Sequence, residues 1–166
     1  MSWLNRLWSP WRFKYIKNAS KENKCFICEA SKEDEKPENL VIYKDDTIII
    51  LLNKYPYNNG HLMIAPIRHV KNLEELNELE SNKLWSGILI AKKILDETYK
   101  PHGYNIGINL GKAAGAGLED HLHIHIVPRW VGDTSYMTTI AATKVIPQLL
   151  EESWRELKEA IKKLKS

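Results

Sequence analysis

Apolar positions along this chain recur with two periods. Over 121–127 they alternate strictly with imidazole: Leu122, Ile124 and Ile126 separate His121, His123 and His125. Period two marks a half-buried β-strand. It predicts a strand with its aliphatic residues in a core, its three histidines together on the other face, and a stop at Pro128. Apolar, β-branched runs predict a hairpin over 40–53 turning at Asp45 and Asp46, and strands over 61–66 and 104–111. The second period is helical. Leu84, Ile88, Ala91 and Leu95 predict a helix over about 81–99, capped by Ser81 and ended by Pro101-His102-Gly103. Leu150, Trp154, Leu157, Ile161 and Leu164 form one stripe of a helix starting near Pro147, suited to core or dimer packing. Charged 31–39, the 54–60 segment and glycine-rich 112–120 read as loops. The sum is an α+β fold: an antiparallel sheet of about five strands with a long helix and a C-terminal helix. One domain spans 1–166, with an aromatic, basic extension (1–20), a core (25–130) and the last helix (147–164).

Composition narrows the class. Of 166 residues, 43% are apolar, enough for a core. No run approaches the ~18 apolar residues of a membrane span. The first residues, "MSWLNRLWSPWRFKY", lack the apolar stretch and cleavage site of a secretory signal. A cytoplasmic protein away from membranes is expected. The net charge of +3 is weak, and the terminal "KEAIKKLKS" reads as a solvated helix face, so no nucleic-acid partner is expected. Trp3, Trp8 and Trp11, interleaved with Arg6 and Arg12, read as an anchor onto the sheet or a partner subunit rather than a base-stacking surface.

Candidate chemistry sits on the histidines and cysteines. Strand neighbours at i and i+2 are about 6.5–7 Å apart at Cα, so three histidines on one straight strand do not converge on a single metal. A division of labour is expected among them. Cys25 and Cys28 are the only cysteines. A C-x-x-C pair reads as a metal half-site, a redox pair or two buried thiols. The βαβ setting of a thioredoxin-type pair is missing from the pattern. His69 and one histidine of the alternating strand are available to complete a tetrahedral Cys₂His₂ zinc set, although the spacing does not decide it.

The segments "HLHIHIV" (121–127), "LLNKYPYNNGHLMIAP" (51–66) and "NIGINLGKAAGAGLEDHLHIHIVPRW" (105–130) resemble the histidine triad (HIT) superfamily. "RLWSPWRFKYI", "VPRWVGD" and "KVIPQLL" resemble its bacterial diadenosine tetraphosphate phosphorylase branch. The resemblance implies a HIT-like fold, a homodimer whose sheets join (a tetramer is the alternative), and nucleotidyl transfer through a covalent nucleotidyl-histidine. It implies His123 as nucleophile and His125 at the phosphates or leaving group. In relatives with C-x-x-C the first triad histidine binds zinc, which implies the set Cys25, Cys28, His69 and His121 here; in zinc-free relatives His121 supports the catalytic histidines.

The resemblance also implies Asn109 near the α-phosphate, Asn53 at the ribose, His61 in the same pocket, and Leu51 and Met63 around the base. Gly115 and Gly117 let backbone N–H groups approach phosphate. Gly117 stands where relatives often carry a Gln or Ser donor, which turns attention to backbone donors or Lys112. Trp130 is a candidate for substrate binding or packing. Phosphate as acceptor would give ADP and ATP from diadenosine tetraphosphate, with magnesium complexing the substrate. Water as acceptor would make the chain a dinucleoside polyphosphate or phosphoramidate hydrolase. A non-catalytic zinc- and nucleotide-binding module is the reading of a different class.

Overall fold

The computed structural model describes residues 25–115, 118–133 and 146–165. The tryptophan-rich extension and Gly117 lie outside them. Three helices and five strands are described: α1 (Phe26–Lys32), β1 (Val41–Lys44), β2 (Ile48–Leu52), β3 (Leu62–Pro66), α2 (Glu78–Tyr99), β4 (Gly103–Ile108), β5 (Ile124–Arg129) and α3 (Leu150–Lys165). The strands form one sheet in the order β1-β2-β3-β5-β4, every neighbouring pair antiparallel. No helix among the described residues is long and apolar enough to cross a membrane.

The sheet has two unlike faces. Ile48, Ile50, Leu52, Leu62, Ile64, Ile124 and Ile126 pack beneath α2 and α3. The alternate residues Val41, Ile49, Leu51, Met63 and Ala65 form a smaller core with Ile27 and Ala30 of α1. Gly87 lets α2 lie close: a Cβ there would stand 2.8 Å from both Ile48 Cδ1 and Ile64 Cγ2. On α3, Leu157, Ala160 and Ile161 are buried, whereas Leu164 is half exposed. The Trp154 indole N–H donates to the Val41 carbonyl (2.8 Å), fastening α3 to β1. At the hairpin, Asp45 Oδ1 accepts the Thr47 and Ile48 N–H groups (2.8 and 2.9 Å).

Several boundaries differ from the sequence expectation. Helix α1 takes in the first two residues of the expected 31–39 loop; it is only 7 residues long, and just Ile27 and Ala30 are buried, too short a period to stand out in the sequence. Helix α2 starts at Glu78, capped by Asn77 rather than Ser81. Asn77 Oδ1 accepts the Glu80 N–H (2.8 Å) and Glu80 Oε2 accepts the Asn77 N–H (2.9 Å), a reciprocal capping box. Glu80 is also gripped by Arg68 Nε and Nη2 (2.8 and 2.7 Å). The helix ends at Lys100, in left-handed geometry. Helix α3 starts at Leu150, three residues after Pro147. Strand β4 ends at Ile108 rather than 111.

Strand β5 begins at Ile124, so His121 and His123 precede it, and it runs through Pro128 to Arg129. Pro128 is tolerated because β3 pairs with β5 only through Leu62–Ile126, Met63–His125 and Ile64–Ile124. Pro128 faces that same side of β5, beyond the end of β3, and its carbonyl takes the Asn58 side chain instead (3.0 Å). The missing N–H therefore costs no ladder bond.

Candidate active site and metal centre

Three short segments bring the Cys/His group together. Cys25 is the residue before α1 and Cys28 lies in its first turn, so both thiols sit on one side of the helix start. His69 lies just past β3. The Leu122 N–H donates to the Val70 carbonyl (2.7 Å), pinning the stretch before β5 against the stretch after β3. Cys25 Sγ then stands 3.2 Å from His121 Nδ1, Cys28 Sγ 3.2 Å from His69 Nδ1, and Cys28 Sγ 3.4 Å from His121 Nδ1. All four atoms lie within 4.8 Å of one another. Ligands bound at about 2.0–2.3 Å in a tetrahedron stand roughly 3.5 Å apart, so the arrangement can hold a metal ion.

The protonation states agree with that use. His121 Nε2 donates to the Pro66 carbonyl (2.9 Å), which leaves Nδ1 bare toward the thiols. Burial lowers the His121 pKa to about 4, keeping the ring neutral. Burial, together with the neighbouring Cys25, raises the Cys28 thiol to about 11. The nearby Lys32 ammonium pulls the other way without outweighing them. A divalent cation would supply the remaining offset.

His123 is capped from the opposite nitrogen. Its Nδ1–H donates to the His121 carbonyl (2.8 Å), leaving Nε2 bare. Burial lowers its pKa, and only 5% of the residue is exposed. Its ring meets that of His125 edge-on, with centroids 4.8 Å apart. The His125 tautomer can be deduced in turn. The Tyr57 backbone N–H can only donate, and it donates to His61 Nδ1 (3.1 Å). His61 is neutral, its pKa lowered to about 3 by burial and by the neighbouring His125 and His123. Its one proton therefore sits on Nε2 and donates to His125 Nδ1 (2.9 Å). The His125 proton is left on Nε2. The Asn109 side-chain nitrogen is drawn 3.4 Å from His125 Nε2; turning the carboxamide by 180° offers that N–H an oxygen.

A model of the HIT domain matches residues 33–131. The chain belongs to the HIT family. Among curated HIT relatives, a protein of Mycobacterium tuberculosis (strain CDC 1551 / Oshkosh) named AP-4-A phosphorylase is 42% identical over 93% of this chain and 83% of its own length. A Saccharomyces cerevisiae (strain YJM789) bis(5'-adenosyl)-triphosphatase is 35% identical over 58% of this chain and 48% of its own length. A Zn-bound histidine triad family protein from Mycobacterium smegmatis superposes with a TM-score of 0.68. It is 28% identical and covers 86% of this chain and 96% of its own.

The other sequence-derived HIT candidates scatter around this centre. Leu51, Met63, His125 and Gly107 form one cross-strand row. Leu51 and Met63 are nonetheless buried core residues, 1% and 4% exposed. Asn53 begins a turn, its Oδ1 accepting the Tyr55 N–H (2.9 Å), and its Nδ2 lies 3.5 Å from His61 Nε2. Gly115 adopts φ +83° at the end of a 3₁₀ turn and is exposed beside Lys112. Trp130 is half-buried, its N–H 3.4 Å from Asp133 Oδ2. Sequence reasoning missed Tyr57, Asn58 and Asp133. The Tyr57 ring lies 4.8 Å from that of His61 and 6.1 Å from that of His125. The aromatic "YPY" just before His61 was its signal.

Proposed function

We propose that this HIT enzyme cleaves diadenosine polyphosphates by nucleotidyl transfer through His123. One observation carries the reading: the 2.8 Å bond from His123 Nδ1 to the His121 carbonyl bares Nε2 on a ring that meets His125 edge-on, with centroids 4.8 Å apart. In the first step His123 Nε2 attacks the α-phosphorus. An N–P bond forms, the P–O bond to the polyphosphate breaks, and His125 Nε2–H offers a proton to the departing oxygen. In the second step an oxygen of inorganic phosphate attacks the nucleotidyl-histidine and returns the nitrogen lone pair. Diadenosine tetraphosphate and phosphate thus become ATP and ADP. The relative named AP-4-A phosphorylase supports this acceptor. The similarity to bis(5'-adenosyl)-triphosphatase favours a second reading, with water as acceptor and AMP and ATP as products.

Asn109, Asn53, His61, Leu51, Met63, Gly115, Gly117 and Trp130 complete the proposed substrate site. Zinc is the metal proposed for Cys25, Cys28, His69 and His121, with a structural role; thiolate and imidazole donors favour it. Magnesium would travel with the polyphosphate. A cytoplasmic homodimer joined at the β4 edge fits the exposed Ile106 on that strand (48%) and Trp85 and Leu89 on α2 (68% and 51%).

The test is to incubate the protein with diadenosine tetraphosphate, with and without inorganic phosphate, and to identify the nucleotides released. ADP with ATP, formed only when phosphate is present, is the expected result. AMP with ATP in its absence makes the chain a hydrolase. No cleavage in either case overturns the reading.

A further inference from the structure

The loop before His61 is held by a network that no histidine of the site belongs to. Asn58 is 9% exposed, and its side-chain nitrogen donates to the Pro128 carbonyl (3.0 Å) and to Asp133 Oδ2 (3.1 Å). Asp133 is fixed by the Arg129 fork, Nε to Oδ2 at 2.6 Å and Nη2 to Oδ1 at 2.8 Å. Arg129 Nη1 reaches across to Asn105 Oδ1 on β4 (2.6 Å). Three elements, β4, the end of β5 and the 54–60 loop, are therefore locked together by Asn58 and Asp133.

The lock lies one residue from the donor that sets the His61 tautomer. The Asn58 carbonyl accepts the His61 N–H (3.2 Å), and the preceding Tyr57 N–H donates to His61 Nδ1. Moving the Asn58 backbone moves both partners of His61. We propose that Asn58 and Asp133 are positioning residues that act through Tyr57 N–H and His61 to hold the proton of His125 on Nε2. This rests on His125 acting at the leaving group, as proposed above. A buried amide using both of its protons on one carbonyl and one carboxylate is suited to this task, because losing either acceptor leaves a buried donor unpaired.

The direct readout is the ring N–H proton of His61, which its bond to His125 protects from solvent exchange in a fully buried ring. In ¹⁵N-labelled full-length protein, a slowly exchanging Nε2–H on His61, coupled across the hydrogen bond to His125 Nδ1, is expected. In Asn58→Ala its exchange should accelerate at least about tenfold, and kcat on diadenosine tetraphosphate should fall on the order of ten- to a hundredfold with KM little moved. Asp133→Asn, a milder change, should move exchange the same way by less, and it carries the test if Asn58→Ala does not fold. Unchanged protection in a folded variant, or no protected proton in the wild type, overturns the proposal. The exchange readout needs no turnover, so its failure is distinct from failure of the nucleotidyl-transfer reading. If exchange responds but His125→Ala turns over normally, the lock stands and the role given to His125 falls.

Discussion

Two neighbourhoods only a few residues apart use the same side chain in opposite senses. Around His121, a carbonyl caps Nε2 and Nδ1 faces two thiols and a second imidazole. Around His123, a carbonyl caps Nδ1, and the ring with its bare Nε2 meets His125, itself beside the Asn109 carboxamide. Burial keeps both rings neutral. What separates the proposed ligand from the proposed nucleophile is which ring nitrogen the backbone consumes. The surroundings then differ to match. The first is closed by soft donors, whereas the second has its remaining proton placed through His61 and the main chain of Tyr57.

The contrast can be broken at several points. His123→Ala should remove turnover by a factor on the order of 10⁴ or more, while nucleotide binding changes far less. Persistent turnover with the alanine in place would move the chemistry elsewhere. Acid should act chiefly on the side of the proposed nucleophile, through His61. An unfolded imidazole takes its proton near 6.5, and the folded His61 only near 3. Between those values the unfolded chain binds more protons, so stability is full above pH 6.5 and is lost as pH falls toward 3. The loss approaches roughly 4–5 kcal/mol at the acid end. Denaturant unfolding of wild type and His61→Asn at pH 7 and pH 4 measures it, and parallel losses would contradict the assignment.

Smaller effects sharpen the other neighbourhood. Cys25→Ser with Cys28→Ser should take metal content from about one ion per chain to none and lower stability by about 3 kcal/mol, a Tm fall of roughly 6–12 °C. Elemental analysis and calorimetry decide it, and equal metal in both forms would sink the metal centre. At the small end, Lys71→Ala removes an exposed ion pair to Asp120 beside His121 (2.8 Å). It should shift stability by less than about 0.5 kcal/mol; a larger change by the same calorimetry would mean that this pair braces the cluster.

Local patterns carried much of the fold. The apolar run of β2 and the alternation before Pro128 point to strands because each face of a strand reports its own environment. Helix α2 is legible from its middle outward, but its start is not: Leu79 is 60% exposed, so the apolar period begins only at Leu84. Pro128 looks like a terminator because a sequence cannot tell where the neighbouring strand stops. In the site, His123 and the C-x-x-C pair stand out by spacing. Asn58 and Asp133 do not, because their bond joins residues 75 positions apart and a turn asparagine ordinarily serves its own backbone.

The oxygens that fix His121 and His123 belong to the main chain, at Pro66 and at His121 itself. A substitution replaces side chains and leaves these carbonyls in place. The orientation of both rings is therefore buffered against point mutation in the surrounding positions. It is exposed instead to changes of length. One residue inserted or deleted between His121 and His123 would separate a ring from its cap, and no side-chain replacement could restore it. Within this short stretch, amino-acid identity is free to drift wherever packing allows, while residue count is not.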